Sequence, residues 1–252
     1  MKTFDVAVVG ICAALYAVIG LLTSLGLSFG GVAFWPAAVI PAIFAVLFGP
    51  WVGATGASIG IFIHDMAVHG NPLLSLSAGV TGNFAMFFLI GYLSRNKVSG
   101  KKLGASIVFA ATIMVVSLLL PTILLPSESL GFTQFPFFET MAISIGLAVA
   151  SLFAVAAVFK LWPQWRTYGI ASVIGQGVGS AVLTTGLWAY SQVFLAYPIS
   201  GPISAAFAPI IFVWTFATEI PFVLLIGPPV IKAVYVAFPS LKPKQNEMIR
   251  AT

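Results

Sequence analysis

Two carboxylates and both histidines lie in or beside long apolar segments, where polar side chains are costly. His64, Asp65 and His69 fall close together near one end of such a segment. Glu219 lies near the middle of another, with no Lys or Arg nearby in sequence to pair with it. A carboxylate at that depth must be protonated, paired or hydrated, and polar groups in such segments are functional candidates. We therefore predict that both groups line a cavity that binds a ligand.

Further polar and aromatic side chains extend this candidate site. Asn83 lies near the middle of its segment, where it either contacts a ligand or bridges two helices. Glu139 opens another segment, and the helix dipole favours a structural cap there equally. Trp188 and Tyr190 suit either interfacial anchoring or stacking on a planar ring. The predicted substrate-binding residues are Trp35, His64, Asp65, His69, Asn71, Asn83, Glu139, Trp188, Tyr190 and Glu219.

Catalysis and metal binding have weaker support. Residues 56–60 fit the hydrolase pattern G-x-S-x-G, but that motif requires a soluble strand-turn-helix. On one helix Ser58 and His64 would point roughly 120° apart, so they cannot pair. Asp65 and His69 share a helix face, yet two ligands make a weak metal site. We predict no catalytic residue, no metal and no cofactor, and since the sequence contains no phosphate-binding loop, a partner must hydrolyse any ATP.

The elements that hold these side chains are apolar helices. Apolar residues make up 60% of the chain and charged residues only 7%, whereas about a quarter of a soluble domain is charged. A helix that spans a membrane needs about 20 apolar residues. Such segments lie at about 5–26, 34–50, 52–69, 73–93, 103–125, 139–159, 168–196 and 207–236. The sequence therefore predicts an all-α polytopic membrane protein with about eight spans, or six full spans if the short second and third are partial.

The basic residues predict the orientation of these spans. They fall in every second gap between the segments, or beside it, whereas the gaps near 27–33, 66–73, 126–138 and 197–206 contain none. Cytoplasmic loops retain Lys and Arg, so both termini should be cytoplasmic and the protein should lie in the plasma membrane. The net charge of +5 then reflects topology rather than nucleic-acid binding. We predict one transmembrane domain over residues 1–239 and a polar cytoplasmic tail over 240–252.

The first hundred residues also contain several features in a specific order. A proline-bearing second segment leads into Phe48-Gly49-Pro50, then Gly53-x-x-Gly56-x-x-x-Gly60, and then Asp65 near the outer end. Gly82-Asn83-Phe84 and Gly91-Tyr92-Leu93-Ser94-Arg95 follow in the next segment. Residues 6–97 thereby resemble the S components, which are the substrate-binding subunits of energy-coupling-factor (ECF) vitamin transporters.

This resemblance implies a function and partners. An S component binds a small water-soluble nutrient from outside, and a module of one transmembrane coupling subunit and two ATPases drives its uptake. The family's Ala-xxx-Ala motif docks on the coupling subunit, and Ala13 and Ala17 would take that role here. Typical S components have six helices, so the C-terminal half departs from the pattern. We expect a nutrient-binding subunit that is not an enzyme; the alternative is a self-sufficient proton-coupled carrier in which Glu219 titrates.

Overall fold

The computed structural model describes residues 2–24, 28–29, 31–95, 137–194 and 201–242. Over these ranges the chain forms seven α-helices and one two-stranded antiparallel hairpin, in which Ser28 pairs with Ala33. The strands are β1 (Ser28–Phe29) and β2 (Val32–Ala33). The helices are α1 (Thr3–Thr23), α2 (Val39–Phe48), α3 (Pro50–Val68), α4 (Pro72–Ser94), α5 (Phe137–Leu161), α6 (Arg166–Val193) and α7 (Ala208–Ala237).

Five of these helices, α1, α3, α4, α6 and α7, are long and apolar enough to cross a membrane. The second segment forms only the short helix α2 after the 3₁₀ turn Pro36–Ala38. Seven of the predicted segments coincide with helices, and the segment at 103–125 lies outside the described residues. An all-α polytopic membrane protein is confirmed, while the number of eight spans and the side of each terminus stay predictions.

The connection between α2 and α3 is a single residue. Gly49 has a φ of 116°, in the region that favours glycine, and Pro50 then begins α3 at a position where its missing N–H is not needed. A Cβ at Gly53 would overlap Ala45, so the two helices pack at very short range. The Gly-Pro pair and the following glycine thus fold α2 back along α3.

Six of the helices form one bundle. α3 lies between α1 and α4, α4 lies between α3 and α6, and α7 packs on α6 and α2. The contact of α4 with α6 depends on glycines: a Cβ at Gly82 would lie 2.7 Å from Leu183 Cβ, and one at Gly175 would lie 2.6 Å from Ile90 Cγ1. α5, by contrast, packs mainly on α7. The four N-terminal helices and the two C-terminal helices therefore build the core together.

Helix α7 contains prolines at positions where a soluble helix would break. Pro221 lacks the N–H that would bond the carbonyl of Ala217 one turn earlier. The hydroxyl of Ser151 on α5 donates to that carbonyl at 3.3 Å. A freed carbonyl in a membrane-spanning helix needs such a partner. α5 thus satisfies the backbone of α7 close to Glu219.

Candidate functional site

A cavity of about 100 Å³ lies inside the bundle, beneath the β1–β2 hairpin. Its walls come from the hairpin, α3, α4, α6 and α7. The lining residues are Gly31, Val32, Ala33, Trp35, Ile61, His64, Asp65, His69, Leu74, Ser75, Ala78, Gly79, Asn83, Leu183, Leu187 and Glu219. Six predicted site residues therefore meet in one place, although they come from three helices and two loops.

Asp65 is the centre of a polar group near the C-terminal end of α3. Its Oδ1 lies 3.2 Å from His64 Nδ1 and 3.8 Å from His69 Nε2. Its Oδ2 accepts a hydrogen bond of 2.6 Å from the Ser75 hydroxyl at the start of a π-helical turn in α4. A Cβ at Gly79 would lie 2.7 Å from this oxygen, so the turn can approach the carboxylate only because that position is glycine. The protein itself therefore occupies both oxygens of Asp65.

The geometry around His69 assigns its tautomer. The backbone N–H of Asn71 donates to His69 Nδ1 at 3.1 Å, so a neutral ring carries its proton on Nε2, which faces Asp65. Burial lowers the pKa of His69; the nearby Asp65 opposes this shift and His64 adds to it. His69 is therefore neutral at pH 7, and its Nε2–H faces Asp65 Oδ1 at 3.8 Å, beyond hydrogen-bond distance.

Asn83 connects two helices at the bottom of the cavity. Its Oδ1 accepts a hydrogen bond of 2.5 Å from the Tyr16 hydroxyl of α1. Its Nδ2 donates to the Gly79 carbonyl at 2.8 Å. The helix-bridging role that the sequence offered for Asn83 is thus present in the structure, and a direct ligand contact stays a prediction.

Glu219 enters the same cavity from α7, and α6 orients it. Both Glu219 and Gln176 are buried, and Gln176 Nε2 donates to Glu219 Oε2. Gln176 Oε1 has no hydrogen-bond partner among the described residues. In contrast to Asp65, Glu219 accepts a single hydrogen bond from the part of the chain that the structure describes.

Trp35 closes the cavity on the hairpin side. Its ring meets His64 nearly edge-on with a centroid distance of 4.4 Å, and it meets Tyr16 at 5.5 Å. The indole Nε1 is buried beside the Tyr16 hydroxyl and makes no hydrogen bond of normal geometry within the described ranges. The hairpin itself is held by Trp214 of α7, whose Nε1 donates to the Val32 carbonyl at 2.9 Å.

Three predicted residues lie outside the cavity wall. Asn71 caps α4 by accepting from the Leu74 N–H at 3.1 Å, and its Nδ2 donates to the Tyr190 hydroxyl at 2.8 Å. Trp188 packs on the cluster that contains Leu74 and Tyr190. A fourth predicted residue, Glu139, has a side chain outside the described part of the chain. Ligand contacts for these four residues stay predictions.

The predicted docking residues lie against another helix of the same chain. Ala13 is 2% exposed and Ala17 is 3% exposed, and a Cβ at Gly60 of α3 would lie 2.7 Å from the Ala13 carbonyl oxygen. The opposite face of α1 is exposed and carries apolar residues such as Leu15 and Val18. Docking of a partner on Ala13 and Ala17 stays a prediction, and in this conformation α3 already covers both.

The sequence does not assign Tyr16, Ser75 or Gln176 to the site, although each holds a lining residue in place. Gln176 gives a usable signal, because a long amide in the middle of an apolar segment needs a partner. Tyr16 and Ser75 give little sequence signal of a role in the site. A tyrosine also anchors helices at the membrane surface, and a helical serine can bond its own backbone. Their roles depend on which helices are neighbours.

The alternatives of catalysis and metal binding have little geometric support in the described residues. The Ser58 hydroxyl points to the Val80 carbonyl, 3.4 Å away, rather than to a histidine. Over the described ranges, no group of three or more His, Cys, Asp or Glu side chains is placed to hold a metal ion. The polar groups of the cavity instead bond one another.

Comparison with known proteins identifies the family. Neither a curated protein nor a solved structure matches the chain. The family model for the ECF-type riboflavin transporter S component matches residues 1–161, which is more than half of the chain. This family is a family of transporter components and not of enzymes, and its members work with an ECF module of a transmembrane subunit and ATPases. The resemblance seen in the sequence is thus confirmed, and the chain belongs to the ECF-type riboflavin transporter S component family.

Proposed function

We propose that this chain is the substrate-binding subunit of an ECF transporter and that its substrate binds in the cavity beneath the β1–β2 hairpin. The observation that carries the proposal is a cavity between membrane-spanning helices, largely apolar with a few polar groups in its wall, in a member of this family. Asp65, Asn83 and Glu219 bring polar groups into an apolar bundle, where they are retained at a cost.

Riboflavin is the substrate that the family description favours. It is a planar heteroaromatic ring with carbonyl groups, a ring N–H and a polyhydroxyl chain. Trp35 and His64 offer ring surfaces, and the polar lining offers hydrogen bonds. Aromatic walls with a few placed polar groups are typical of sites for such ligands.

Substrate entry requires the cavity to expand. Its volume of about 100 Å³ is below the roughly 300–1,000 Å³ of most ligand pockets. The hairpin forms the outer wall through Gly31, Val32 and Ala33, and the hydrogen bond from Trp214 together with apolar packing of Val32 holds it on α7. We infer that the hairpin moves outward to admit substrate and returns over it.

Binding by the purified protein tests this proposal. Quenching of riboflavin fluorescence on titration with the detergent-purified full chain should report saturable binding. Ala78→Phe places a ring in the cavity and should abolish binding, because Ala78 is a lining residue. Thr81→Phe, an exposed position one turn further along α4, is the matched control and should bind as the wild type does. Equal binding by both variants would place the site elsewhere.

A proton-coupled carrier is the second candidate, and the buried Glu219–Gln176 pair favours it. Such a carrier would transport substrate in vesicles without any partner, driven by a proton gradient, and Glu219→Gln would block that uptake. An ECF subunit should instead co-purify with two ATPases and a transmembrane coupling protein when it is affinity-purified from native membranes in mild detergent. Mass spectrometry of the co-purified proteins separates the two functions.

A further inference from the structure

The polar groups of the cavity differ in how much hydrogen-bonding capacity they have left. The two oxygens of Asp65 are hydrogen-bonded by His64 and Ser75. The amide of Asn83 is also bonded on both sides. The protein already satisfies the hydrogen-bonding capacity of these groups. Their role is therefore to fix the shape of the cavity wall.

Trp35 and Glu219 have capacity that the protein does not use. Trp35 is 4% exposed and lines the cavity, and its indole N–H lies beside the Tyr16 hydroxyl without a hydrogen bond of normal geometry to any described group. Glu219 is also 4% exposed and lines the cavity, and Gln176 engages only its Oε2 among the described residues. An unsatisfied buried donor costs about 1–3 kcal/mol, so such a group is retained where a ligand completes it.

We infer that Trp35 and Glu219 form a donor–acceptor pair that recognises the amide edge of a planar heterocycle, where a ring carbonyl lies next to a ring N–H. The Trp35 indole N–H donates to the ring carbonyl. The free oxygen of Glu219 accepts from the ring N–H. Gln176 holds the carboxyl group in position from α6.

This inference rests on the proposed function and specifies its chemistry. It also assigns substrate selection to a part of the chain beyond the family match, because Glu219 and Gln176 lie after residue 161. Leu183 and Leu187 from the same C-terminal part form the apolar wall beside them. The N-terminal helices thus supply the frame and one donor, and the C-terminal helices supply the acceptor.

A pair of flavins that differ by one methyl group tests the assignment. Riboflavin has the ring N–H next to a carbonyl, and 3-methylriboflavin carries a methyl group in place of that hydrogen. The wild-type chain in detergent should bind riboflavin about ten- to a hundredfold more tightly than 3-methylriboflavin, since one buried acceptor loses its partner. In Glu219→Ala the ratio of the two affinities should fall to about one, because both the acceptor and the steric barrier are removed.

Two further variants separate hydrogen bonding from packing. Trp35→Phe keeps an aromatic ring but loses the N–H, so it should bind both flavins about tenfold more weakly without changing their ratio. Glu219→Gln keeps an oxygen that accepts hydrogen bonds, so it should lose less riboflavin affinity than Glu219→Ala. Each variant is compared at equal monodispersity and thermal stability, so that misfolded protein is not scored as weak binding.

The outcomes distinguish this inference from the proposed function. Tight riboflavin binding with no preference over 3-methylriboflavin would overturn the inference and leave the proposed function standing. A preference that survives unchanged in Glu219→Ala would also overturn it, because the ring N–H would then be read elsewhere. Failure of the wild type to bind either flavin would overturn both the flavin substrate and the donor–acceptor pair.

Discussion

The two carboxylates of the cavity stand in different environments, although both reach it from membrane-spanning helices. Asp65 on α3 has contacts with His64, His69 and Ser75. Glu219 on α7 accepts one hydrogen bond, from Gln176, among the described residues. The first lies within the region that matches the family model and the second lies beyond it. This difference indicates that a saturated carboxylate stabilises the wall, whereas an unsaturated one is available to a ligand.

The two environments also follow from their helices. The C-terminal end of α3 and the start of α4 are joined by a short loop with Gly70 at a φ of 64°, so Asp65 and Ser75 meet through local structure. Glu219 and Gln176 are far apart in sequence and meet only because α6 packs on α7. Stability at the first site is therefore local, while the second depends on tertiary packing.

Exchange of each carboxyl for an amide should give the largest contrast between the two sites. Asp65→Asn turns one acceptor oxygen into a donor that faces N–H or O–H donors, so it should lower the free energy of unfolding by about 1–3 kcal/mol. Glu219→Gln keeps an acceptor for Gln176 and should change the free energy of unfolding by less than about 1 kcal/mol. Thermal unfolding in detergent measures both.

The chain contains its own reporter for that measurement. Cys12 is the single cysteine and is fully buried in α1, so a thiol-reactive dye becomes fluorescent only when the helices separate. Ser58→Ala is a matched control on α3, since its hydroxyl makes only a long contact with the Val80 carbonyl. Equal destabilisation by Asp65→Asn and Glu219→Gln would contradict the distinction between the two carboxylates.

Much of the fold follows from local signals in the sequence. The hairpin at Gly49-Pro50 and the boundaries of α1, α3, α4, α6 and α7 agree with the predicted segments to within a few residues. These features depend on apolar length and on the backbone preferences of Gly and Pro, which act within a few residues. The order in which the helices pack depends on shape, and periodicity does not determine it.

The site follows from sequence only in part, for the same reason. Depth in an apolar segment identifies Asp65, Asn83 and Glu219, because burial of a polar group has a cost wherever its neighbours are. The same criterion suggests Asn71 and Tyr190, which instead bond each other outside the cavity wall. Depth predicts that a polar group needs a partner, but only the packing determines whether that partner is protein or ligand.

A fall in pH should weaken the Asp65 site through protonation of His69. Burial lowers the pKa of His69 in the folded chain, so the unfolded chain binds a proton more readily. The stabilising contribution of neutral His69 is therefore present above the unfolded-state pKa of roughly 6.5 and is lost as the pH falls below it. The part of the unfolding temperature that depends on His69 should therefore fall between pH 7.5 and pH 5.

A substitution identifies the group responsible for this pH dependence. His69→Gln keeps a side chain that can bond Asp65 but cannot titrate, so its unfolding temperature should depend less on pH than that of the wild type. The effect should be smaller than that of Asp65→Asn, because proximity to the Asp65 carboxylate partly opposes the effect of burial. An unchanged pH dependence in His69→Gln would assign the titration to another group.

The smallest predicted effect concerns the support of Glu219 by α5. Ser151→Ala removes the donor to the Ala217 carbonyl that Pro221 leaves without its usual N–H. Hydrogen bonds between membrane helices contribute about 0.6 kcal/mol on average, so the free energy of unfolding should fall by about that amount. Because Glu219 lies between Ala217 and Pro221, the variant should also weaken riboflavin binding slightly if α5 positions the carboxyl group. Unchanged binding with a lower unfolding temperature would limit α5 to a structural role, and the acceptor site would then depend on α6 and α7 alone.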